Sequence, residues 1–164
     1  MHTSHLFKGN KLLLVGGRSL KANEEGIFVP EFRDTISAID LETGEFEEEF
    51  ARLPTALASH QSWLVEDKYI VIYGGTNGGR FFDSVIRYDI EKKEWTLLSK
   101  YPESAKSSTF FKEGRIAHVS ASVPNTLWIL FGGCTPEQEF NDFLVLDKAQ
   151  VVDDSNFSVI TEIM

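Results

Sequence analysis

The chain has 164 residues, 42% of them hydrophobic and 25% charged, the composition of one globular domain; this excludes disorder and leaves no room for a large two-domain enzyme. Sixteen Lys plus Arg against 25 Asp plus Glu leave a net charge of −9, which argues against a broad phosphate-binding surface, so no nucleic-acid partner is expected. Cys134, the single cysteine, excludes an intrachain disulfide and a cysteine-rich zinc site, no apolar run approaches the ~20 residues that span a bilayer, and Met1 to Gly9 lacks a signal peptide's apolar stretch, so a cytoplasmic chain without membrane attachment is expected.

Taken in chain order, the sequence predicts strands at 3–7, 11–16, 34–40 and 45–50, then at 60–65, 69–74, 84–89 and 94–98, then at 117–122, 127–132, 142–147 and 157–161. Turn signals separate first from second strands at Lys8-Gly9-Asn10, Glu66-Asp67-Lys68 and Pro124-Asn125-Thr126, and Glu42-Thr43-Gly44 separates third from fourth in the first group. No window of a dozen residues has helical periodicity. The long connections, 18–30 and 99–115, are rich in Gly, Ser, Glu and Lys and read as exposed loops.

The three groups are copies of one unit. Gly16-Gly17, Gly74-Gly75 and Gly132-Gly133 each close an apolar run, and their first glycines are 58 residues apart both times. His2, His60 and His118 each lie 14 residues before the first glycine of their pair. Downstream, a second apolar run ends in Asp40, Asp89 or Asp147, and an aromatic follows six residues later in two copies, Phe46 and Trp95. In the third copy the aromatic, Phe157, comes ten residues after Asp147, with four residues inserted. From glycine pair to closing Asp the spacing is 24, 15 and 15 residues, and the extra length of the first copy falls in 18–33.

A four-stranded unit of this length with Gly-Gly after its second strand resembles a kelch repeat, one blade of a β-propeller. The second copy is most similar, with Gly74-Gly75, then Tyr88, then Trp95, and Arg115-Ile116-Ala117-His118 resembles the Arg-x-x-His that often opens a kelch blade. The first copy departs with Ile39 and Phe46 in place of Tyr and Trp, and the third with Leu146 and the late Phe157. The resemblance implies an all-β fold of three four-stranded antiparallel sheets, a partial propeller. It also implies that all of 1–164 forms one kelch-repeat domain with blades at about 2–53, 54–111 and 112–164. Glycines at the strand ends permit positive φ and close backbone approach, Tyr88 and Trp95 fill space between blades, and the closing aspartates accept backbone N–H bonds in turns.

Residues with chemical potential read mainly as structural. The repeated histidines sit one per blade, spread around the axis rather than converging on a metal, so no metal and no cofactor are expected. Cys134 has no basic neighbour in sequence that would activate its thiol. Gly74-Gly75-Thr76-Asn77-Gly78-Gly79 lacks the Lys-Ser/Thr and the helix of a phosphate loop. Glu45 to Glu49 reads as an outermost strand with a charged, solvated edge.

In kelch propellers partners usually contact the loops between second and third strands and between blades, here 18–33, 76–83, 134–141, 51–59 and 99–117. The residues expected to contact a partner are Arg18, Arg33, Asn77, Arg80, Phe81, Tyr101 and Arg115, with Phe82 beside them; arginine forks suit peptide carboxylates, and aromatics supply contact area. The resemblance implies a protein-interaction module without enzymatic activity that binds a peptide or protein, as a substrate adaptor or scaffold. The alternatives are a kelch-type enzyme (a sugar-acid mutarotase or an oxidase) or a structural part of a larger propeller. Three blades fall short of the four to eight that close a ring, so the remaining blades are expected from a longer chain or from a homodimer.

Overall fold

The structure is a computed structural model and describes residues 1–98, 114–152 and 159–162. Three four-stranded antiparallel sheets follow one another along the chain. The first contains β1 (Thr3–Phe7) and β2 (Lys11–Val15), then, after a two-stranded ribbon of β3 (Arg18–Ala22) and β4 (Phe28–Phe32), β5 (Thr35–Asp40) and β6 (Phe46–Arg52). The second contains β7 (Gln61–Val65), β8 (Tyr69–Tyr73), β9 (Val85–Asp89) and β10 (Glu94–Leu97). The third contains β11 (Val119–Val123), β12 (Leu127–Phe131), β13 (Phe143–Asp147) and β14 (Val159–Glu162), with a short helix α1 (Lys148–Val152) after β13. Within each sheet the strands pair in sequence order, so every blade is a meander, and β1 lies against β7 of the next blade.

Alternation decides which way each blade faces. From the first blade, Leu13, Val15, Ile36 and Ala38 turn toward the second and meet Ile70, Ile72 and Tyr88 in one buried cluster. From the opposite face of the second blade, Trp63, Val71, Tyr73 and Val85 meet Trp128, Leu130, Leu144 and Leu146 of the third. Strand β8, YIVIY, is buried at every position because it is covered on both faces, and this explains a continuous apolar run in place of alternation. Trp63 stacks on Trp128 with ring centroids 4.8 Å apart, and Tyr88 tilts against Trp95 at the same separation.

Two elements depart from expectation. Residues 18–30, read as a loop, belong to the β3–β4 ribbon. The reason lies in the repeat: Thr76 bridges Phe81 in the second blade and Cys134 bridges Glu139 in the third, and Arg18, at the equivalent position of the first blade, pairs with Phe32. The extra residues of the first copy thus prolong a small hairpin that every blade has. Its tip closes on Asn23, whose Oδ1 accepts from the N–H groups of Glu25 and Ile27 beside Gly26 at φ 77°. The second departure is α1, one short turn among the residues inserted into the third copy. Phe157 and Tyr101 lie outside the described residues.

Candidate functional site

The glycine pairs position the seams between blades. All six glycines have positive φ, from 55° at Gly16 to 114° at Gly17, a region that residues with a Cβ avoid. A Cβ on Gly75 would meet the Cβ of His60 at 2.9 Å, and one on Gly74 would meet the ring Cε1 of His118, in the following blade, at 2.8 Å. Each histidine thus leans its stem on the glycine pair of its own blade and its ring on that of the blade before. His60 Nε2 lies 3.0 Å from Thr3 Oγ1 in the preceding blade, and His118 sits edge-on to Tyr73 at 5.2 Å. Both imidazoles are buried, and burial, aided by positively charged neighbours, pushes each pKa down to about 4. His2, the first of the series, is exposed.

The closing aspartates act within turns. Asp40 Oδ1 accepts from the N–H of Glu42 and Thr43, Asp89 Oδ1 from Glu91 and Lys92, and Asp147 Oδ1 from Ala149. These bonds hold the Asp40 and Asp89 carboxyls below the usual carboxylate range, the Thr43 and Lys92 N–H groups first in each case. Trp95 Nε1 donates to Arg52 O at 2.9 Å, tying the outer strand of the second blade to the first.

Arg115 corrects one expectation. Its place in the loop sequence predicts an arginine facing a partner, yet it is only 3% exposed. Its guanidinium makes a two-pronged ion pair with Asp142, at 2.6 and 3.0 Å, donates to Gly132 O at 3.1 Å and stacks over Phe140 at 4.1 Å. The fork holds the third glycine pair and the 134–141 loop in place, and its positive charge is neutralised inside the fold. Sequence reasoning missed Asp142 and Phe140 as its partners; Asp142 stands five residues before the closing Asp147, where the other copies have Thr35 and Ser84, so the repeat carries no signal for it.

The other expected contacts gather on the face where the loops between second and third strands emerge. Arg18 and the ribbon lead, and Phe32 at the ribbon base packs on Gly78 of the second-blade loop, where a Cβ would lie 2.7 Å from its ring. Arg33 pairs with Glu31 at 3.5 Å and with Glu48 at 4.0 Å, on the surface. Asn77 Oδ1 accepts from the N–H of Gly79 and Arg80 and so shapes the loop; Arg80 is exposed, with its guanidinium 5.4 Å from the Phe82 ring. Arg80 and Phe81 form one wall of a cleft of about 330 Å³, facing Thr135, Pro136 and Glu137 of the third blade.

A ribbon feature was not anticipated. Its pairing places Leu20, Ala22, Phe28, Pro30 and Phe32 on one face with Arg18, and Ser19, Lys21, Val29 and Glu31 on the other. The second face is closed by Lys21–Glu31 and Ser19–Glu31 contacts. The first leaves Leu20 64% and Phe28 69% exposed, a two-residue apolar prong on the loop face.

A larger concavity, about 950 Å³, opens on the opposite, turn-bearing face, lined by His5, Trp63, Glu66, Asp67, Ser122 and Lys148 among others. Its cationic and imidazole groups already have partners: His5 Nε2 is 2.6 Å from Ser62 Oγ, and Lys148 Nζ donates to Ser122 Oγ and Val123 O at 2.8 and 2.7 Å. Among the described residues there is no cluster of three or more His, Cys, Asp or Glu able to hold a metal ion, and no helix long and apolar enough to cross a membrane.

No curated protein matches the chain. The family model of the kelch motif matches residues 67–100, within the second blade. That motif sits in the middle of three four-stranded antiparallel sheets of one register, the arrangement of kelch-type blades.

Proposed function

We propose that this protein is a non-enzymatic interaction module that binds a peptide or protein on its loop face, in the cytoplasm. The observation that carries the reading is the prong of Leu20 and Phe28 beside Arg18, next to the cleft walled by Arg80 and Phe81. Exposed aromatic and aliphatic side chains flanked by arginines are the composition of binding hot spots. The partner this chemistry fits is a segment with apolar side chains and a carboxylate. The residues with the most catalytic potential are engaged in structural contacts: His60 with Thr3 and Arg87 with Val151 O at 2.6 Å join neighbouring blades, and Arg115 with Asp142 braces the third.

The test is affinity capture followed by mass spectrometry, with three proteins side by side. The combined variant Leu20→Asp, Phe28→Asp, Arg80→Glu should lose partners that the unmodified chain retains, and Glu66→Ala on the turn face should keep them. An identical partner set for all three defeats the loop-face reading.

A further inference from the structure

The two seams inside the molecule define what a seam requires. On the side a blade turns toward its successor, Val15, Tyr73 and Phe131 are equivalent by the 58-residue register, as are Leu13, Val71 and Ile129. In the first two blades these positions are buried, at 3% exposure or less; in the third, Phe131 is 44% exposed, and Val119, which pairs with it across the strands, is 61% exposed. Around them Ala121, Val123, Leu127, Ile129, Phe143 and Val145 share the same sheet face, on which β11, β12 and β13 carry no charge before Asp147, while β14 pairs Glu162 with Phe143. On the side a blade turns toward its predecessor, the first blade shows the converse. Leu6 is 55% exposed, and Phe46, at the position of Trp95, is 58% exposed; Leu12, Leu14 and Ile39 lie between them.

The glycine and histidine series is open at the same two places. The ring Cε1 of His60 sits 3.3 Å from where a Cβ of Gly16 would be, and that of His118 sits 2.8 Å from the same point at Gly74. At Gly132 that direction meets only Phe140 O, at 3.2 Å, while His2 stands exposed on the first blade. One surface therefore has the socket and an apolar successor face, and the other has the histidine and an apolar predecessor face. Both are on this chain.

We propose that a second copy of this chain covers both faces, the third blade of each copy packing on the first blade of the other to give a six-bladed ring around a two-fold axis. The two seams are head-to-tail and close because the rotation is shared. They differ from the internal seams in one respect. At the inner strands Thr3 reaches His60 and Ser62, and Gln61 bonds Ser120 Oγ and His118 O, each at 3.0 Å. The equivalent position in the third blade is Val119, which has no hydrogen-bonding group to offer Ser4 or the His2 carbonyl of the second copy. The intermolecular seams are therefore weaker than the internal ones, and assembly depends on concentration.

Sedimentation velocity on the full chain tests this, with circular dichroism on every variant to verify the fold. The unmodified chain should sediment as a dimer that dissociates on dilution. Phe131→Asp and Leu6→Glu, both at exposed positions, should each be monomeric with an unchanged fold. A mixture of those two variants should recover a heterodimer, since Leu6 of one and Phe131 of the other remain intact at one seam. Val119→Gln should tighten the dimer about tenfold by restoring a hydrogen bond at two seams. A monomer at every concentration overturns the proposal. A dimer insensitive to Leu6→Glu overturns the head-to-tail seam in favour of like faces meeting. Growth into open fibres overturns the closed ring, and a Val119→Gln affinity equal to that of the unmodified chain overturns the register.

Discussion

Arg115 and Asp142 show how a single side chain changes meaning once its surroundings are known. Both lie at 3% exposure or less, so removing one leaves the other charge buried without its counterpart. Asp142→Ala should lower stability by about 3–5 kcal/mol, read from the urea midpoint. The glycines divide by environment in the same way. Gly74→Ala meets both φ +69° and Arg115 O at 2.9 Å, and should cost about 2–4 kcal/mol; Gly9→Ala, at φ +79° with nothing within 4 Å, should cost about 1 kcal/mol. The histidines set a pH dependence. His60 and His118 fold with pKa near 4 against 6.5 for an unperturbed imidazole, so the unfolded chain binds more protons between those values. Stability should be level above about pH 6.5, fall as pH drops toward 4 by at most about 3 kcal/mol per histidine, and lose that slope below. Urea midpoints across this range measure it, and His118→Phe should flatten the curve.

At the scale of the element, the ribbon of β3 and β4 is the part of the fold with most surface and least core. Leu20 and Phe28 point to solvent, and Phe32 reaches the second blade at Gly78. Replacing 19–31 with a short turn like that of the second blade should change the urea midpoint by no more than about 0.5 kcal/mol equivalent, because surface changes away from packed features rarely do more. The same replacement should abolish capture of the loop-face partner. A large loss of stability would instead mark the ribbon as structural. Outer strand β6 shows the opposite design: its Phe46 to Glu49 stretch is exposed and acidic, which discourages pairing with another sheet edge, and Arg52, which also pairs with Glu49 of the same strand, ties it inward through Asp34 at 2.7 Å.

At the scale of the whole molecule, stability and assembly are linked. A second copy that binds only the folded chain adds stability by mass action, so the melting temperature should rise with protein concentration. Differential scanning calorimetry over a hundredfold dilution series measures this; Phe131→Asp should show a melting temperature independent of concentration.

The sequence by itself determined the blades. A 58-residue register, period-2 alternation and turn residues are local properties, and twelve strands follow from them at nearly the observed positions. It also carried the glycine pairs, because positive φ is a backbone property of single residues. The tertiary structure decided which charges are free. Arg115 and Arg80 both stand in loop sequences, but Asp142, 27 residues beyond Arg115 in the chain, meets its guanidinium only after β12 has crossed the blade, while Arg80 faces solvent. It likewise decided that residues 18–32 pair as a ribbon: its polar composition suits a loop, and its pairing is dictated by extension of the hairpin that begins at Arg18 and Phe32. Burial and cross-strand pairing depend on neighbours distant in sequence, and a linear pattern records only what each residue can do, not what it meets.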